Sequence, residues 1–90
     1  MHHFRGTLWK GDQVRLDPAN VYIDYHALEA SSGEQWDGYL VVASEKDVEP
    51  GGTYSLRLVD GRAGTLRITD ISLDESEKVR ANFVGEGPLG

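Results

Sequence analysis

The sequence predicts an all-β fold, a small single-domain barrel or strongly bent antiparallel sheet of about six short strands, SH3-like or OB-like, with little helix. Three observations carry this reading. Thr53 to Ser72, TYSLRLVDGRAGTLRITDIS, holds two runs with apolar residues at alternate positions around an Asp60-Gly61 turn, the pattern of a β-hairpin. Further short alternating runs follow one another with Gly, Pro, Asn and Asp between them, and no helix-length amphipathic run interrupts them. After Ile68 the apolar phase slips by one residue to Ile71 and Leu73; a β-bulge around Thr69-Asp70 accounts for this and helps a small sheet bend towards closure.

Each element has its own signature. Phe4 to Trp9 alternates, and Lys10-Gly11-Asp12 turns the chain towards Val14 and Leu16, a segment that Asp17-Pro18-Ala19-Asn20 ends. Val21 to Leu28 alternates again. Ser31-Ser32-Gly33 marks a flexible connection, Trp36 to Ala43 resumes as a strand, and Ser44 to Asp47 has the residues to cap one helical turn. Glu49-Pro50-Gly51-Gly52 turns into the central hairpin. Within that hairpin a two-residue loop would set Leu56 against Thr65 and mix apolar with polar on one face, so an odd loop is favoured. Three residues, Val59-Asp60-Gly61 with Gly61 left-handed, pair Tyr54 with Leu66; five residues pair Leu56 with Leu66. Lys78 to Val84 supplies the last strand, and a flexible Gly-rich tail is expected from about residue 85. Gly-x-Leu at Gly6, Gly38 and Gly64 is a recurring bend, since the residues around it do not repeat.

Ninety residues make one domain with a small core, near the size where docking on a partner or self-association helps stability. The chain has no cysteine, which removes disulfides and thiolate metal sites and fits a reducing compartment. No apolar stretch approaches the roughly 20 residues that span a bilayer, and residues 1–12 lack the apolar centre of a secretory signal, so a soluble cytoplasmic protein with no membrane association is expected. A net charge of −6 disfavours nonspecific binding to nucleic acid.

Strand parity sorts the side chains. With Phe4, Leu8, Val14, Leu16, Leu40, Val42, Leu56, Leu58, Leu66, Ile68, Val79 and Phe83 inward, Arg5, Arg15, Arg57, Arg67 and Arg80 point out, and the acids collect in the turns. Trp9 and Tyr39 fall on outward positions, whereas Trp36 shares the inward parity of Leu40. An outward Trp and Tyr among arginines have the residue types of a contact hot spot, which nominates Trp9, Tyr39, Arg5, Arg57, Arg67 and Arg80 as binding residues. An alternative site comprises Tyr22, Asp24, His26 and Arg62 near one opening of the barrel.

Other chemistry has less support in the residues. His2 and His3 adjoin a terminus and no carboxylate follows at ligand spacing, and the acids Asp70, Asp74, Glu75 and Glu77 lack the Asp-x-Asp-x-Asp-Gly loop that wraps calcium, so no metal is expected. Asp24 and His26 share a strand face, but no serine sits on a strand-to-helix elbow beside them. Gly85-Glu86-Gly87-Pro88 has no following helix to present to phosphate. Asp70-Ile71-Ser72 resembles the start of the Asp-x-Ser-x-x-Gly motif of PilZ domains, six-stranded barrels that bind a cyclic dinucleotide. Glu75 stands where that motif has glycine, and Arg57, Arg62 and Arg67 are five apart where the family has Arg-x-x-x-Arg, so the match stops at three residues and brings no function with it. What remains is a noncatalytic module that binds another protein or a peptide, or a small subunit of an assembly, with no cofactor. The alternative is a ligand-binding or enzymatic barrel; single-stranded nucleic acid ranks third, against the overall acidity.

Overall fold

Six antiparallel strands close on themselves in the computed structural model, which describes residues 2–27, 34–44, 46–73, 78–87 and 89–90, without the side chains of 25–27 and 34. The strands are β1 (His2–Lys10), β2 (Gln13–Ala27), β3 (Glu34–Val42), β4 (Thr53–Leu58), β5 (Ala63–Leu73) and β6 (Val79–Glu86), and they follow one another around the ring as β1-β2-β3-β6-β5-β4. The barrel closes where Gly6–Trp9 of β1 pair with Leu58–Ser55 of β4. No helix forms among the described residues, as the dominance of period two predicts.

The core is the inward face of every strand. Leu8, Ala19, Val21, Ile23, Trp36, Leu40, Leu56, Leu58, Leu66, Ile68, Ala81 and Phe83 are all buried. Trp36 meets Phe83 edge-on and donates its indole N–H to the Gly87 carbonyl at 2.8 Å, so the polar end of a buried ring is satisfied. At that end of the barrel Phe4 packs against the core, and the Arg62 guanidinium sits 4.8 Å from its ring centroid. At the other end Val48, from the loop after β3, is buried, and the Tyr54 hydroxyl accepts from the Glu49 N–H at 2.8 Å.

The central hairpin takes the three-residue loop. Tyr54 pairs with Leu66, the Leu58 N–H donates to the Arg62 carbonyl, and Gly61 has φ +98°. Asp60 accepts from the backbone and guanidinium of Arg62, which lowers its pKa below the ordinary carboxylate value, first through the side-chain hydrogen bond. Because only glycine enters this φ cheaply, Gly61→Val is expected to lower stability by roughly 1–3 kcal/mol, read as a fall in the urea midpoint; an unchanged midpoint would mean the loop tolerates a side chain there. The bulge at Thr69 is also present, where the β5–β6 register shifts between Ile68 and Asp70.

Other expectations need correction. Asp17-Pro18-Ala19-Asn20 does not end a strand: β2 runs through it, because Asp17 and Pro18 both lie opposite Thr7, and a bulge is the position where a strand does not need the missing proline N–H. A second bulge follows, since Leu16 pairs with Leu8 but Val14 pairs with Trp9, leaving Arg15 unpaired. That residue inverts the parity. Val14 shares the outward face of its partner Trp9 and is 46% exposed, although period two places it inside. Leu73, in phase with Ile71, is 71% exposed near the end of the barrel. Ser44 to Asp47 forms no helical turn among its described residues: the Asp47 N–H donates to the Ser44 carbonyl and the Asp47 carboxylate accepts from the Ala43 and Ser44 N–H groups, which closes a tight turn. Gly85 and Glu86, expected in the tail, belong to β6, and Gly90 exchanges two backbone hydrogen bonds with Ala63.

Candidate functional site

The nominated binding residues separate into three groups around the ring. Arg67 donates to Glu86 at 2.9 Å across β5 and β6. Tyr39 belongs to a row that crosses β1, β2, β3 and β6: His3 stacks on Tyr22 at 4.7 Å, Tyr22 on Tyr39 at 4.8 Å, and the Arg80 guanidinium lies 4.3 Å from the Tyr39 centroid. Cross-strand register builds this row, since His3 faces Tyr22 and Tyr22 faces Tyr39. The rings spend their faces on one another, so the row reads as a stabilising cross-strand ladder, about 0.2–1 kcal/mol per pair. Trp9, Arg5 and Arg57 form the third group, at the β1–β4 joint.

This third group lines a groove. Three shallow depressions of about 510, 410 and 520 Å³ adjoin along the joint. The first lies beside Trp9 over Ser55, Arg57, Gly64 and Thr65; the second is flanked by Arg5, Thr7, Asp17, Arg57 and Val59; the third holds Arg5, His3 and Asp60. Arg57 is common to the first two and Arg5 to the last two, which makes the depressions one path. Trp9 points outward as parity predicts, but it is half-buried because Val14 of β2 and Ser55 of β4 stand on either side of it.

The electrostatics of this path differ from those of the rest of the surface. Of six arginines, Arg62 pairs with Asp60, Arg67 with Glu86, Arg15 donates to the Asp47 carbonyl and Arg80 covers Tyr39. Arg5 and Arg57 meet no carboxylate or ring among the described residues, and both are exposed. Arg57 faces Thr7, and Arg5 faces Val59, whose N–H donates to the Arg5 carbonyl at 2.8 Å. The two arginines are therefore diagonal neighbours on one face, their Cα atoms about 7–8 Å apart. The expected arginine wall is thus dispersed, and only these two stand together without an ion pair among the described residues.

The alternative site is not assembled among the described residues. Tyr22 is inside the aromatic row, Asp24 faces Asp37 across β2 and β3, and Arg62 sits over Phe4 on the β4–β5 turn. The His26 side chain lies outside the described residues. No group of three or more His, Asp or Glu suited to a metal occurs among the described residues, and they contain no helix long and apolar enough to cross a membrane.

Sequence reasoning found Trp9, Arg5 and Arg57 separately, but not their adjacency, nor the exposed Val14 beside Trp9. Only the pairing of β1 with β4, some fifty residues apart, makes one site of them. Comparison with known protein families, curated proteins and solved structures gives no match to this chain.

Proposed function

We propose that this barrel is a noncatalytic protein-binding module that receives an extended segment of a partner in the β1–β4 groove. The observation that supports this reading is the pair of arginines without an ion pair among the described residues, Arg5 and Arg57, beside the half-buried Trp9 on one continuous path. Trp9 offers a large apolar face next to the small residues Ser55, Gly64 and Thr65, where a partner side chain can be desolvated. The arginines add charge-assisted hydrogen bonds that a neutral surface lacks. Aromatic and arginine anchors of this kind dominate binding energy in protein interfaces.

A random peptide library displayed on phage and selected on the immobilised barrel tests the reading. Selected peptides should lose binding to Arg57→Glu, and Trp9→Ala should weaken them by on the order of 2 kcal/mol while still unfolding cooperatively. Binders indifferent to both substitutions, or no binders at all, would remove the groove as the site.

A further inference from the structure

We infer that the groove recognises an extended acidic peptide in which an apolar side chain and two carboxylates occupy alternate positions, apolar-x-acid-x-acid in either chain direction. This rests on the protein-binding reading above and gives its partner a chemistry. The spacing comes from the barrel itself. Antiparallel register sets three successive levels along the joint: Trp9 with Ser55, Thr7 with Arg57, and Arg5 with Val59. Each level is two residues from the next, about 6.6–6.8 Å along a strand. An extended peptide lying along the joint presents same-face side chains at that same interval. An apolar residue over Trp9, with the exposed Val14 beside it, then brings the next two same-face residues to Arg57 and Arg5.

Charge selects the acid. Arg5 and Arg57 repel each other across the face, and neither is paired with a carboxylate among the described residues although the chain carries fifteen acids. A carboxylate at each level relieves that repulsion and accepts the bidentate fork of a guanidinium. Two acids line the path among the described residues. Asp60 is engaged by Arg62 at 2.8 Å, and Asp17 stands on the β2 side, within 3.5 Å of the Thr7 hydroxyl, where it opposes an acidic ligand. Nucleic acid is disfavoured by the net charge of −6, which acts along the whole length of a polyanion, whereas a peptide with two acids meets only the local field.

Capped synthetic peptides provide the test, titrated against the labelled barrel by amide chemical shift. Two in-phase peptides, Gly-Leu-Thr-Glu-Thr-Glu-Gly and its reversed sequence, are compared with Gly-Leu-Glu-Thr-Glu-Thr-Gly of identical composition, whose acids fall on the face opposite the leucine. At least one in-phase peptide should bind five-fold or more tightly than the out-of-phase one and shift the amides of β1 and β4. That advantage should vanish in Arg5→Gln, and Asp17→Asn should tighten acidic peptides two-fold or more. Equal binding of all three peptides at the groove would overturn the spacing and leave the protein-binding reading intact. Absence of binding at millimolar peptide overturns the inference; if the selected phage peptides also fail to depend on Arg57, the reading falls with it. An oligothymidylate that binds the same amides more tightly than every peptide would assign the groove to nucleic acid and overturn both.

Discussion

Replacing Trp36 by alanine is expected to cost about 3–5 kcal/mol of folding free energy, the largest loss from removing any one side chain of this barrel. The ring is 1% exposed, touches Phe83 edge-on and closes one end of the barrel with its N–H on Gly87. Its removal leaves a cavity and an unanswered carbonyl together. A chain of this length has roughly 5–13 kcal/mol of stability to lose, so the variant is predicted to unfold at a markedly lower urea concentration. The same contact is exposed to change from its other side: a Cβ on Gly85 would come within 2.1 Å of the indole. A Trp36→Ala midpoint within experimental error of the parent would mean the end of the barrel is not closed by this ring.

The second large effect is expected at Gly38. An added Cβ there would lie 1.8 Å from the Tyr22 carbonyl oxygen and 3.2 Å from the Ile23 Cα, in a backbone conformation of φ +155° that side chains rarely adopt. The obstacle is backbone, not a flexible side chain. Relief therefore requires β2 and β3 to separate at the pair Ile23–Gly38, beneath the Tyr22–Tyr39 stack. Gly38→Ala is predicted to lose about 3 kcal/mol or more, from steric conflict and backbone strain together. A near-ultraviolet circular dichroism spectrum and thermal midpoint equal to the parent's would show that the two strands have slack at this level.

How much of this was legible in the sequence depends on how far apart the determinants lie. The loop at Val59-Asp60-Gly61 and the bulge at Thr69 were readable, because turn chemistry and apolar phase within a dozen residues specify both. The continuity of β2 through Pro18 was not. A bulge is defined by the strand opposite, and neither Asp17-Pro18 nor Arg15 carries a local mark that distinguishes an interrupted ladder from a turn. Val14 was misplaced for the same reason, since an unpaired Arg15 inverts parity without changing composition. Parity did place Trp9 outside and Trp36 inside. It could not decide which outward residues stand side by side, because that is settled by the closure of β1 on β4 and by the separation of those strands from β6 around the ring. The grouping of Arg5 with Arg57, and the diversion of Arg67 and Arg80 to other partners, are therefore properties of topology.

If the groove receives a peptide as proposed, closure at the β1–β4 joint also determines the kind of grip it would exert. Along Gly6–Trp9 and Ser55–Leu58 the two strands satisfy each other's main-chain donors and acceptors, so the floor of the groove presents a pleated surface with no open edge. A ligand there cannot join the sheet as an extra strand and draw a sequence-independent affinity from a new ladder. On the proposed reading its main chain would stay in water, and discrimination would fall to the side chains that reach Trp9, Arg57 and Arg5. Selectivity of this sort resembles reading a short row of pins: the spacing of the residues matters as much as their identity, and an insertion of one residue in the ligand turns every second side chain away from the surface.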